Sequence, residues 1–157
     1  MHRLRSATMM KLCTAGALAL ALLAAPRTHG EDIITNELRV EIVSLRTDKG
    51  LVGCLLFTGE EGFPNTIEKA LAHVKTIVEH GRATCVFDDL KPGTYAVSFI
   101  HDENENGKLD TNFIGIPTEG YGASNDARAR FGPPKWADAK FEHVASKQHL
   151  VLHPIYF

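Results

Sequence analysis

Ala83-Thr84-Cys85-Val86-Phe87, Asp88-Asp89-Leu90-Lys91-Pro92-Gly93 and Thr94-Tyr95-Ala96-Val97-Ser98-Phe99-Ile100 follow one another without a gap. The first and third segments are short, rich in β-branched and aromatic residues, and bounded by turn formers, which is the signature of strands. Between them, Pro92 presets its own backbone angle and Gly93 follows, so the chain reverses there rather than continuing as a helix. This strand–turn–strand unit sets the pattern for the chain.

Outward from it the same grammar repeats. Glu37–Arg46 alternates Leu38, Val40 and Ile42 against Arg39, Glu41 and Val43, the period of a half-buried strand. Leu51–Thr58 is nearly all apolar, as expected of a strand covered on both faces. Ala137–Glu142 places Ala137, Ala139 and Phe141 on one face, and Gln148–Tyr156 closes the chain. Asp48-Lys49-Gly50 and His80-Gly81 supply further turns. In Pro64–Glu79, Ile67, Ala70, Leu71, Val74 and Val78 recur at helical spacing, and Asn65 with Glu68 resembles a capping box. The β-branched run Val74–Val78 pulls the other way. The expectation is a helical turn at about 65–72 and a strand at 74–79 that faces Arg82–Phe87 across the His80-Gly81 turn. Seven short strands with tight turns make an all-β sandwich.

The amino-terminal stretch reads differently. Arg3, Arg5 and Lys11 precede an unbroken small and apolar run from Leu12 to Ala25. At about 14 residues that run fits a cleavable signal peptide and is short of the roughly 20 needed to cross a bilayer. Residues 1–30 are therefore expected to leave on export, by cleavage after Ala24 or after Gly30, and the working domain to occupy residues 36–157. The expected location is periplasmic or secreted, with no membrane span in the mature chain. Losing Arg3, Arg5, Lys11 and Arg27, with no acid among them, takes the net charge from −2 to near −6. An acidic surface without a basic stripe repels phosphate backbones, so nucleic acid is not an expected partner.

Cys13 leaves with the signal, so Cys54 and Cys85 remain. Two cysteines in an exported chain are expected to pair, here between strand-like runs lying side by side in a sheet. The alternative is two buried thiols.

One segment carries chemistry. After Ile100 comes His101-Asp102-Glu103-Asn104-Glu105-Asn106-Gly107-Lys108-Leu109-Asp110. Asp102, Asn104 and Asn106 at alternate places, Gly107 next, and Asp110 three further on reproduce the first nine places of an EF-hand-type calcium loop. Alternate oxygens wrap a hard cation, and the glycine allows the turn that brings the Lys108 carbonyl inward. Place twelve is Phe113 where a bidentate Glu belongs, so Glu119 or Asn112 would have to complete the shell. The alternative is a metal-free Asn/Asp/Gly turn held by its own side chains. Beyond lies a loop of more than 30 residues, through Gly115–Asn125 and Phe131–Trp136, and loops of such length are usually functional or disordered. Its aromatic and glycine content points to an ordered surface, with His101, Tyr121, Ser124, Asn125 and Trp136 as candidate ligand contacts.

Phe87-Asp88-Asp89-Leu90-Lys91-Pro92-Gly93-Thr94-Tyr95-Ala96-Val97 resembles the F-x-x-L-x-P-G-x-Y-x-V edge of transthyretin-like and Cna-B-like β-sandwiches. Joined to the His101–Asn104 loop, Gly115–Gly122 and Ser124-Asn125, it is similar to a narrower group over residues 36–157: the exported bacterial proteins of domain-of-unknown-function family 2141. The resemblance implies a single seven-stranded immunoglobulin- or transthyretin-like sandwich with one long ordered loop, and it supplies no reaction.

Enzyme signatures are thin. Asp102, Asp110 and Glu119 read better as cation ligands than as the carboxylate pair of a glycosidase. Ser124 lacks the G-x-S-x-G context of a nucleophile elbow. The tail His153-Pro154-Ile155-Tyr156-Phe157 lacks the tyrosine-arginine-glycine-serine ending of transthyretin-like hydroxyisourate hydrolases. His149 and His153, on one strand face, stand about 13 Å apart at ~3.3 Å per residue, too far to chelate together. Two readings follow: an exported binding or interaction module for an extracytoplasmic ligand or protein with structural calcium, or a small metal-assisted hydrolase using the same loop. Closed all-oxygen coordination fits the first, and an open site with His101 and a bound water fits the second.

Overall fold

The computed structural model describes residues 36–157; the expected signal segment, residues 1–30, lies outside them. The described residues fold into eight strands: β1 (Leu38–Ile42), β2 (Leu51–Phe57), β3 (Ala72–Ile77), β4 (Ala83–Phe87), β5 (Gly93–Asp102), β6 (Gly120–Ala123), β7 (Phe141–His143) and β8 (Gln148–Leu152). They form two sheets. One has the order β4-β1-β8; the other runs β3-β2-β5-β6, with β7 added to the beginning of β5. The all-β sandwich expected from the alternation is therefore present, with eight strands rather than seven.

Alternation decides which side each residue takes. Leu38, Val40 and Ile42 of β1 and Val52, Cys54 and Leu56 of β2 are fully buried between the sheets, with Val97, Phe99 and Leu152. The motif around Pro92 closes one end of this core. Phe87, Leu90 and Tyr95 all point inward, and the Tyr95 hydroxyl donates to the Lys91 carbonyl at 2.8 Å, so the chain leaves one sheet and enters the other with its turn pinned. Cys54 and Cys85 form a disulfide. They do not sit side by side in one sheet as expected: β2 and β4 belong to different sheets, and the bond crosses the core between them.

Four other local expectations change. Strand β3 pairs with β2 and not with β4; the turn between β3 and β4 is closed by an isolated Glu79–Arg82 bridge. The helical stretch shrinks to a 3-10 turn at Ile67–Lys69 capped by Thr66 without a side-chain bond, so Asn65 and Glu68 make no capping box. Ala137–Glu142 is not one strand: Trp136–Ala139 is a helical turn, and the strand is Phe141–His143. Finally, the expected long loop contains β6. Its glycines hid it from pattern reading, yet they are what packing demands. A Cβ on Gly120 would lie 2.5 Å from the Tyr156 ring, and one on Gly122 would lie 2.6 Å from the Phe99 ring. No helix among the described residues is long and apolar enough to cross a membrane.

Candidate functional site

The loop leaving β5 begins at Asp102, which pairs with Leu51 of β2. Its backbone turns through positive φ at Glu105 and Gly107. Asp102 is buried, and its two carboxylate oxygens accept the N–H groups of Asn106 at 3.0 Å and Gly107 at 2.7 Å. Asn104 Oδ1 accepts the same Asn106 N–H at 3.2 Å, and Asn106 Oδ1 accepts Lys108 N–H at 3.1 Å. The side-chain amides of Asn104 and Asn106 both donate to Asp110, at 2.6 and 2.9 Å. Those bonds hold the Asp110 carboxyl below its ordinary range, chiefly through Asn106.

Glu119 straps the two ends of the loop together. It is buried, with one oxygen accepting Glu103 N–H and the other Asp110 N–H, each at 2.9 Å. Asp102, Asn104, Asn106 and Asp110 are thus joined, with Glu119 across the ends, in a turn held by its own side chains. Asn112 is occupied elsewhere, accepting Ile114 and Ile116 N–H. Among the described residues no three His, Cys, Asp or Glu side chains are grouped so as to hold a metal ion. The donor set around Asp102–Asp110 is instead two carboxylates, two amides and a carbonyl, all oxygen donors of the kind a hard cation takes.

His101, read as a surface contact, is fully buried. Its Nε2 faces the Lys49 carbonyl at 2.9 Å and its Nδ1 the Tyr156 hydroxyl at 2.7 Å. A carbonyl only accepts, so Nε2 donates to Lys49, and Nδ1 and the Tyr156 hydroxyl share the second hydrogen bond. Arg46 lies over the Tyr156 ring at 4.6 Å and donates to Glu103 at 2.7 Å and to the Thr118 carbonyl at 2.8 Å. Burial raises the Tyr156 hydroxyl above its ordinary pKa, and the Glu103 charge adds to the rise. This cluster bolts the carboxyl-terminal segment to the base of the loop. Gly50 makes it fit: at φ +72, any Cβ there would stand 2.0 Å from the Asp102 carbonyl.

The other candidates divide. Ser124 is fully buried, donating to the Ala139 carbonyl at 2.6 Å and accepting Val97 N–H at 3.0 Å; it ties β5 to the helical turn and shows no hydroxyl to solvent. The Asn125 amide donates to the Asp138 and Lys140 carbonyls. Trp136 packs edge-on against Phe63 at 6.0 Å. These are fastenings of the loop. Tyr121 alone among the five presents its side chain on the outer face of the larger sheet, stacked on Phe157 at 6.3 Å. His149 and His153 do not share a strand, because β8 ends at Leu152; His153 bonds Asp126 at 2.8 Å, and His149 lies 3.3 Å from Glu41.

That outer face holds what sequence reading missed. Register sets Lys75, Gly53, Ile100 and Tyr121 in one row across β3, β2, β5 and β6, with Leu55 and Leu51 on either side of Gly53. Loops 107–117 and 130–134 and Phe157 rise around it and enclose a groove of about 810 Å³. Two signals for it stood in the sequence. An apolar β2 needs cover on its second face, and a glycine inside a central strand often marks close approach by something else.

Over residues 40–150 the chain matches the family described as "Uncharacterized protein conserved in bacteria (DUF2141)". The chain belongs to this family. No curated protein and no solved structure matches it. Within the family's matched span lie β2, β5, β6, the Asp102–Asp110 loop and both loops of the groove.

Proposed function

We propose that this member of the family is an exported binding module that takes a small ligand on the outer face of its larger sheet. The observation that carries this is the groove itself. At about 810 Å³ it falls within the 300–1,000 Å³ typical of ligand pockets, and like them it is lined mainly by apolar side chains with a few polar groups. Export is supported by the charged-then-apolar amino terminus, and by the Cys54–Cys85 bridge, a bond that persists in oxidising compartments.

Calcium belongs to this reading as a structural ion. Asp102, Asn104, Asn106, the Lys108 carbonyl and Asp110 would hold it, with Glu119 behind them, and it would fix the loop that forms one wall of the groove. The hydrolase alternative needs an open position beside His101, and both nitrogens of that ring are already engaged by Tyr156 and Lys49.

The test is binding of an uncharged fluorescent probe, N-phenyl-1-naphthylamine. Gly53→Leu places a side chain in the middle of the floor, where the nearest atom to a new Cβ is Ile100 Cγ1 at 3.7 Å, so it fills the groove without displacing backbone. Saturable probe binding that Gly53→Leu removes, with the melting temperature kept, is the expected result. Equal binding by the two proteins would refute the groove.

A further inference from the structure

Resting on that reading of the groove, we infer that its ligand is an amphiphile with an apolar tail and a single anionic head, of the fatty-acid kind. The floor and walls are greasy: Leu51, Leu55, Ile100, Tyr121, Phe131 and Phe157 line them. Phe131 and Phe157 are largely exposed, an arrangement that costs the free protein ordered water and is relieved when a tail covers them.

Charge chooses the head. The chain as a whole is acidic, with 19 Asp and Glu against 17 Lys and Arg. The groove reverses that balance: Lys75, Lys108 and Arg130 line it against one carboxylate, Asp102. Asp102 is 4% exposed and its two oxygens face backbone N–H groups of its own loop rather than the groove. Lys108 stands in the acidic loop, three residues from Glu105 and two from Asp110, whose carboxylates offset its charge. Lys75 and Arg130 form no ion pair among the described residues. Lys75 stands in the floor row on β3, and Arg130 on the 130–134 loop, over the Phe131 ring at 5.7 Å. The Ser98 hydroxyl on the floor already donates to the Pro64 carbonyl, and His73, two residues from Lys75 on β3 and paired with Leu55, adds a further polar group. Apolar surface with two cations that make no ion pair complements a tail and an anion. Bringing a carboxylate to both cations in a partly dry groove also gains more than it would in open water.

The experiment displaces bound N-phenyl-1-naphthylamine with three ten-carbon ligands that differ only in the head: decanoate, decan-1-ol and decyltrimethylammonium. Decanoate should bind about tenfold more tightly than decanol, the effect of one good charge-assisted contact, and the cationic ligand more weakly than either. Raising the salt concentration should narrow the gap. Lys75→Gln with Arg130→Gln should bring decanoate to the level of decanol, the ratio of the two affinities being the readout. Equal affinity for decanoate and decanol in the unaltered protein overturns the inference, and so does a decanoate preference that survives the double substitution. If the probe itself does not bind, the groove reading fails first and takes this inference with it.

Discussion

Removing the disulfide by Cys54→Ala with Cys85→Ala tests the sandwich at its centre. The two cysteines are 31 residues apart and fully buried, and they join β2 of one sheet to β4 of the other. In the chain-entropy account, closing a loop of about that length restricts the unfolded chain by roughly 12 cal/mol/K, or about 3.7 kcal/mol at 25 °C. Alanine keeps the site apolar, but the lost sulfur atoms leave a small void that adds to the cost. For a domain of this size about 4 °C is lost per kcal/mol, so the melting temperature should fall by roughly 15 °C. Urea unfolding of the oxidised protein, the reduced protein and the double variant measures it. The reduced protein and the variant should unfold at similar, much lower urea concentrations. The reasoning fails if reduction leaves the midpoint in place, or if an alkylating reagent labels both thiols in the untreated native protein.

Three further expectations are independent of the bridge. Millimolar calcium should raise the melting temperature, by the equivalent of about 2.7 kcal/mol when the free ion is a hundredfold above its dissociation constant, with magnesium less effective; Asp102→Ala should abolish the rise and Glu103→Ala, whose side chain turns to Arg46, should keep it. Identical calorimetric melts in calcium and in chelator would end the calcium proposal. Gly50→Ala should cost several times what Gly107→Ala costs: both glycines have positive φ, worth about 1–2 kcal/mol each to an L-residue, but only Gly50 would drive a Cβ into backbone, while Gly107 has nothing within 4 Å. Equal urea midpoints for the two variants would contradict that. Tyr156, whose pKa is raised in the folded state, contributes stability that is fully present below the unfolded-state value near 10 and is lost as pH rises through the higher folded-state value. An ultraviolet titration should therefore show a late ionisation that Tyr156→Phe removes.

The sandwich was legible because its strongest signals are local. Leu38, Val40 and Ile42 alternate with polar neighbours, and the Pro92-Gly93 turn separates two β-branched runs. The turn at Asp102–Asp110 was legible for the same reason, since the side-chain hydrogen bonds that Asp102, Asn104, Asn106 and Asp110 make among themselves and to Gly107 span six residues or fewer. Strand β6 was not. A strand of Gly-Tyr-Gly-Ala has no pattern of its own, and its glycines answer to Phe99 and Tyr156, which are distant in sequence. The pairing partner of Cys54 was legible, while its geometry was not, because alternation assigns a side chain to a face and leaves open which sheet carries it. Ser124 and His101 illustrate the same limit from the other side. A polar residue in an apparently open loop reads as surface until the carbonyls of Val97, Ala139 and Lys49 are known to reach it.

The groove owes its form to a division of labour within β2. Val52, Cys54 and Leu56 are locked into the core, Cys54 covalently, so the alternate residues Leu51, Gly53 and Leu55 are held as a fixed floor on the opposite face. A strand whose outer face is that apolar would be driven to pair face-on with another molecule unless something stood over it. Here the cover is loops rather than a third layer of regular structure. Loops 107–117 and 130–134 are anchored at their feet by Glu119, Ser124 and Asn125 and carry exposed Phe113 and Phe131 at their tips. On the proposed reading, anchored feet and exposed tips would let the walls fit ligands of different girth over a floor of fixed register. Substitutions on the floor should therefore decide whether anything binds, and substitutions at the loop tips should decide how fast it leaves.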